Sequence, residues 1–240
     1  MKAITKTVFT VGLLALLMVV PAFGASINKS IKVEAGSESG GATSVNGSIT
    51  VGADAVVTGG LKTVNGSIRV DSGARIENAS TVNGGVRIAE NVQADDLSTV
   101  NGAVKVGESA VVDGEIEAVN GGISVKKDAR IARDVSNVNG QINLSGAEVG
   151  GDVSTVTGDV NVVDGSVVKG DLVVEKPSNW GWGNKNNRKP RIVIGPGSTV
   201  EGVINLEREV ELYISTTANV GGVSGVMSMD DAIRFDGNKP

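Results

Sequence analysis

The chain has 240 residues without cysteine or histidine, which excludes disulfide bonds and any catalysis or metal binding that depends on histidine. Its formal net charge is −5, and an acidic protein is a poor general ligand for nucleic acid or anionic lipid. Aromatic residues make up 2% of the sequence, against 40% hydrophobic residues and 34 glycines, which predicts a core of small aliphatic side chains.

Residues 1–25 have the pattern of a secretory signal peptide. Lys2 and Lys6 precede an apolar run from Val8 to Val20, and a small-residue cleavage zone ends at Ala25. The run is shorter than the roughly 18 apolar residues of a membrane-spanning helix. We therefore expect export to the periplasm or cell surface, with no transmembrane segment after cleavage.

A short motif then recurs along the chain. Asn-Gly pairs start at Asn46, Asn65, Asn83, Asn101, Asn120 and Asn139, with Thr157-Gly158 in seventh place, so that copies are 18 or 19 residues apart. An apolar–polar–apolar triplet such as Ile68-Arg69-Val70 follows each pair, and further triplets start at Ile31, Ile192 and Val210. This period predicts an all-β fold, a parallel β-helix (β-solenoid) of about ten coils. We expect right-handed winding.

Two more apolar sets complete three inward sides per coil. One consists of pairs such as Val57 and Leu61, and the other is the valine before each corner: Val45, Val64, Val82, Val100, Val119, Val138 and Val156. At the corners, Asn and Gly both tolerate a left-handed backbone, which favours a sharp turn there. The six corner asparagines are therefore predicted to stack as a hydrogen-bonded ladder along the rod.

The repeats define one β-helix domain over residues 26–226. The step from Val160 to Ile192 is 32 residues, which is 14 more than an 18-residue coil, so a loop is inserted at 175–191. Residues 227–240 follow the last repeat as a tail or cap, with Met227, Met229, Ile233 and Phe235 expected to cover the last coil. The N-terminal end, preceded only by residues 26–30, is the predicted contact surface for self-association.

The short coil and aliphatic interior resemble the bactofilins, polymer-forming cytoskeletal proteins whose β-helices associate end to end without nucleotide. The recurring Val-Asn-Gly-x-Ile-x-Val also resembles the repeats of a family of exported bacterial adhesin-type proteins. Either resemblance covers about residues 31–226. The first implies a self-assembling scaffold, and the second implies a binding module.

No constellation predicts catalysis or a cofactor. The densest acidic series is Asp152, Asp159, Asp164 and Asp171, yet these residues fall at corners and outward positions and no base is paired with them, which favours a solvated face. No phosphate loop, dinucleotide fingerprint or calcium nonapeptide is present. We expect a protein that is not an enzyme and holds no metal.

Two surfaces are candidates for binding. The middle residues of the triplets form a basic stripe, Lys32, Arg69, Arg87 and Lys105, which suits an anionic polymer. The inserted loop carries both tryptophans and a basic cluster: Trp180, Trp182, Lys185, Arg188, Lys189 and Arg191. Loops on rigid scaffolds carry function, although these tryptophans are equally expected to cover an aliphatic side of the rod.

The sequence therefore predicts a non-catalytic, exported β-solenoid that acts as a structural or self-assembling scaffold at the bacterial cell envelope. The alternative is an adhesin or envelope-glycan binding module that uses the tryptophan loop. The expected partners are further copies of the chain through the β-helix ends, an envelope polysaccharide, or another envelope protein, but not nucleic acid.

Overall fold

The computed structural model describes residues 25–177 and 188–240. The predicted signal peptide lies outside the described residues except for Ala25, which begins the first strand. In the described ranges, no helix is long and apolar enough to cross a lipid bilayer.

The chain winds through three parallel sheets, here called A, B and C, and most coils contribute one short strand to each sheet. Sheet A contains Ala25–Ser26, Ala42–Ser44, Leu61–Thr63, Ala79–Asn83, Leu97–Asn101, Ile116–Asn120, Val135–Asn139, Val153–Thr155, Leu172–Val174, Ile204–Leu206 and Val223–Gly225. Sheet B contains Ile31–Val33, Ile49–Val51, Ile68–Val70, Val86–Ile88, Val104–Val106, Ile123–Val125, Ile142–Ser145, Val160–Val163, Arg191–Ile194, Glu211–Ser215 and Ile233–Phe235.

Sheet C is built from two-residue strands. They are Glu38–Ser39, Val56–Val57, Gln93–Ala94, Val111–Val112, Arg130–Ile131, Glu148–Val149, Val167–Val168, Thr199–Val200 and Asn219–Val220. Arg75 bridges Val56 and Gln93, which joins the first two strands of sheet C to the rest. The three sheets make about ten stacked turns, as the 18- and 19-residue repeat predicted.

The triplets form strands because every second side chain is apolar and points inward. In Ile68-Arg69-Val70 both aliphatic residues are buried and the arginine is exposed. The predicted register is also confirmed, since Ile49 pairs with Ile68 and Ile68 with Val86 along sheet B. Each coil thus adds aliphatic side chains to one continuous core that no single coil could enclose. The right-handed winding stays a prediction.

The third inward set was predicted wrongly. The valines before the Asn-Gly pairs, such as Val64 and Val82, are half-exposed, and the residue before each valine points inward instead. This inward row is Ser44, Thr63, Thr81, Thr99, Ala118, Asn137 and Thr155. The hydroxyls of Thr63, Thr81 and Thr99 each donate a hydrogen bond of 2.8 Å to a corner glycine carbonyl of the preceding coil. These bonds allow polar side chains to replace valine inside the rod.

The Asn-Gly corners are not left-handed turns, contrary to the prediction. No corner asparagine has a positive φ, and among the corner glycines only Gly140 does. The glycines are needed because successive coils approach closely here: a Cβ on Gly84 would overlap the carbonyl of Gly66, and one on Gly102 would overlap that of Gly84. The small residue serves close backbone contact rather than turn geometry.

Left-handed residues lie instead at the corner between sheets B and C. Their φ values run from 55° to 71°, and the positions are Gly36, Asp54, Gly73, Asn91, Ser109, Asp128, Gly146, Asp164 and Gly197. Glycine, aspartate and asparagine are the residues that adopt this conformation most readily. This row of turn-forming residues recurs with the repeat and was not predicted.

The parallel pairing of sheet B continues across the inserted loop and into the C-terminal tail. Val160 pairs with Ile192 despite the inserted loop, as predicted. The tenth inward pair of sheet B is Leu212 and Ile214, two residues beyond the predicted Val210 and Leu212, because the step from Ile192 to Leu212 is longer than the regular 18- or 19-residue repeat. The tail adds a 3-10 turn at Met229–Asp231 and an eleventh strand to sheet B.

Candidate functional site

The corner asparagines form the predicted ladder on the outside of the rod. The side-chain amide of each asparagine donates to the carbonyl oxygen of the equivalent residue one coil earlier, at 2.8–3.1 Å. The bonded asparagines are Asn28, Asn46, Asn65, Asn83, Asn101 and Asn120. Asn28 was not predicted. Asn139 accepts a hydrogen bond from Thr157 at 3.4 Å, and within the described residues no bond joins it to Asn120.

The basic stripe lies where the sequence placed it, along the outer face of sheet B. Arg69, Arg87 and Lys105 are directly opposite one another on adjacent strands, which are about 4.8 Å apart. Lys32 is separated from them by Thr50 and forms an ion pair with Glu34 at 2.7 Å. The continuous part of the stripe is therefore Arg69, Arg87 and Lys105.

The base of the inserted loop is held by charged contacts. Asp159 forms an ion pair with Arg188 and accepts the backbone N–H of Arg191 at 2.8 Å. Arg208, which the sequence did not single out, donates to the carbonyls of Val156 at 3.2 Å and Arg188 at 3.3 Å. These bonds tie the chain after the loop to the coils on both sides of it.

The other described basic residues of the loop cluster also contact neighbouring side chains. Lys189 forms an ion pair with Glu209 at 2.8 Å, and the guanidinium of Arg191 lies 4.7 Å from the centre of the Tyr213 ring. Arg188, Lys189 and Arg191 therefore contact the protein itself. Trp180, Trp182 and Lys185 lie outside the described residues, so that a binding loop built on the tryptophans stays a prediction.

The acidic series is not gathered into a site. Oδ1 of Asp152 accepts the backbone N–H of Asp171 at 2.8 Å, and Oδ1 of Asp171 accepts that of Val203 at 2.7 Å. Asp159 holds the loop base, and Asp164 accepts a hydrogen bond from Ser145 at the left-handed corner. These four carboxylates hold neighbouring coils together at three different corners.

Three carboxyl groups, those of Asp152, Glu117 and Glu175, have raised pKa values. Burial raises the pKa of Asp152, its hydrogen bond from Asp171 lowers it in part, and the charges of Asp134 and Asp171 raise it further. Burial, followed by the neighbouring carboxylates, also raises the pKa of Glu117 and of Glu175. Each shift is caused first by burial and then by neighbouring carboxylates, and none involves a paired base.

The described surface offers little for chemistry. A shallow depression on the sheet C side is lined by Gly73, Arg75, Gln93, Ser109 and Val111 among others, with Arg75 its charged member. Within residues 25–177 and 188–240, no three carboxylates lie close enough together to hold a metal ion.

The two ends of the rod differ from its sides. Four large hydrophobic residues are exposed in the described ranges, and three of them lie at the ends: Ile27, Val226 and Ile233 are 72%, 59% and 52% exposed. The tail covers the last coil only in part, since Met227 and Met229 pack against the core while Ile233 does not.

No protein-family model, no curated protein and no solved structure matches this chain.

Proposed function

We propose that the protein is an exported, non-catalytic scaffold of the bacterial cell envelope that assembles through the ends of its β-solenoid. The observation that carries this proposal is the concentration of exposed hydrophobic residues at the two ends. A soluble rod needs polar side chains at its ends as much as on its faces, unless another surface covers them.

Unpaired strands add to the exposed side chains. Ala25–Ser26, Ile31–Val33 and Glu38–Ser39 are the outermost members of their sheets at the N-terminal end, and Val223–Gly225 and Ile233–Phe235 are outermost at the other end. Such edges are templates for further strands. All strand pairs of the described sheets are parallel. Parallel pairing continues from one copy to the next only when the N-terminal end of one meets the C-terminal end of the other. Repeated head-to-tail contacts of this kind produce open filaments.

Sedimentation velocity and negative-stain electron microscopy of the chain without residues 1–25, over a range of protein and salt concentrations, test the proposal. Ile27→Lys and Ile233→Lys each place a charge on one end and should abolish filaments. Val111→Lys changes the remaining exposed large hydrophobic residue, on the side of the rod and 36% exposed, and should leave them intact.

Mixing the two end variants is the sharper test. Each variant keeps one intact end, so a head-to-tail contact predicts that the mixture forms dimers while each variant alone stays monomeric. A wild-type rod that remains monomeric at every concentration, or filaments that Val111→Lys disrupts as strongly as Ile27→Lys, would contradict end-to-end assembly.

A further inference from the structure

The basic stripe places like charges on adjacent strands, an arrangement that does not stabilise the fold. Arg69 faces Arg87, and Arg87 faces Lys105 across adjacent strands. Like charges directly opposite in a sheet are destabilising. The residues on either side of these three in the same row are neutral, namely Thr50 before them and Ser124, Asn143 and Asn161 after them.

These three charges are also available to a ligand. All three side chains are exposed. None of them forms an ion pair with any described residue, whereas Lys32 in the same row is paired with Glu34. The nearest acidic side chains that follow them in sequence are Asp71, Glu90 and Glu108, and none lies within ion-pair distance of the stripe.

Hydrogen-bonding groups run beside the stripe. Each basic residue follows a corner asparagine by four residues, so that the exposed ladder of Asn65, Asn83 and Asn101 runs parallel to it along the rod. One cation and one amide thus recur with every coil, about 4.8 Å apart. A sugar ring in an extended polysaccharide is of similar length, and its hydroxyls suit the amides while an acidic substituent suits the cations.

We infer that a linear acidic polysaccharide with one carboxylate per sugar binds to the outer face of sheet B, in the three coils that contain Arg69, Arg87 and Lys105. Single-stranded nucleic acid fits less well, because such sites stack bases on aromatic side chains and this stretch of sheet B has none. The surface lies on the side of the rod, so that end-to-end assembly leaves it open and the two proposals fail independently.

Binding of polygalacturonate to the full-length protein, measured by isothermal titration calorimetry at several salt concentrations, tests the inference. The variant R69T/R87T/K105T uses the residue that the row itself carries at Thr50. It should bind at least about tenfold more weakly, and the slope of log K against log salt should fall by about two, because three fewer cations take part. The control K29T/K62T/K239T removes the same charge from exposed positions elsewhere and should bind as the wild type does.

Thermal unfolding of both variants accompanies the titrations. The stripe variant should melt at the same temperature as the wild type or higher, because like-charge repulsion has been removed. Absence of binding by the wild type, equal loss in the control variant, undiminished binding of fully methyl-esterified polygalacturonate, or tighter binding of single-stranded DNA would each overturn the inference.

Discussion

Replacing Thr81 by valine tests whether the buried hydroxyl row stabilises the rod. Thr81 is 1% exposed, and its hydroxyl donates to the carbonyl of Gly66 at 2.8 Å. Valine keeps the shape of the side chain but removes the donor, so the carbonyl loses this partner. A hydrogen bond contributes a net stabilisation of about 1 kcal/mol, and a buried acceptor left without a donor costs up to about 3 kcal/mol. We therefore expect Thr81→Val to lower the free energy of unfolding by about 1–3 kcal/mol.

Two companion variants separate hydrogen bonding from packing. Thr81→Ser keeps the donor and deletes one methyl group, which should cost about 1 kcal/mol. Thr50→Val makes the same chemical change on the outer face of sheet B, where the threonine side chain is half-exposed, and should change stability by less than about 0.5 kcal/mol. Urea denaturation at constant m value gives the comparison. A Thr81→Val protein as stable as the wild type would refute the reasoning.

Three further predictions follow from the corners. Asp152→Asn keeps the acceptor for the Asp171 N–H, as Asn78 does in its own coil, and should stabilise the protein at pH 7 by less than about 1 kcal/mol. The folded-state pKa of Asp152 is raised above 3.8, so the protonated carboxyl stabilises the folded protein below that pH, and this contribution is lost as pH rises. The gain in stability from Asp152→Asn should therefore vanish in acid. Urea titrations at pH 7 and pH 3 check the sign. Ser109→Gly releases a left-handed residue with φ 55° and should raise stability by about 0.5–1 kcal/mol in thermal unfolding. Gly84→Ala forces a Cβ onto the preceding coil and should cost at least about 2 kcal/mol; an unchanged melting temperature would contradict the close-contact explanation.

The sequence was sufficient for the features that depend on periodicity. The alternation in Ile68-Arg69-Val70 and the spacing of the corner asparagines gave the sheets, their register and the amide ladder. These could be predicted because parallel stacking places equivalent residues of successive coils directly above one another, so that an alignment of repeats is already a map of neighbours.

The errors arose where residue type and local geometry disagree. Val82 is more apolar than Thr81, so polarity alone assigns the valine to the core, but the carbonyl of Gly66 is placed to accept a hydrogen bond from threonine inside the rod. The two-residue shift at Leu212 depends on how a longer coil is accommodated, which no repeat spacing reveals. Arg208 was missed because its two acceptors are backbone carbonyls far away in the sequence.

The asparagine ladder also bears on chemical ageing of the protein. In a flexible peptide, the glycine nitrogen of Asn-Gly readily attacks the asparagine side-chain carbonyl, and the resulting succinimide opens to aspartate or isoaspartate. In the rod, the amides of Asn65, Asn83 and Asn101 are bonded on both sides, and the N–H of Gly102 is donated to the carbonyl of Asn120 at 3.2 Å. These hydrogen bonds restrain the three side-chain amides and, at Asn101-Gly102, the attacking nitrogen as well. Stacking therefore opposes succinimide formation along the ladder, and we expect deamidation first at Asn139, which has no bond to Asn120 in the described part of the chain.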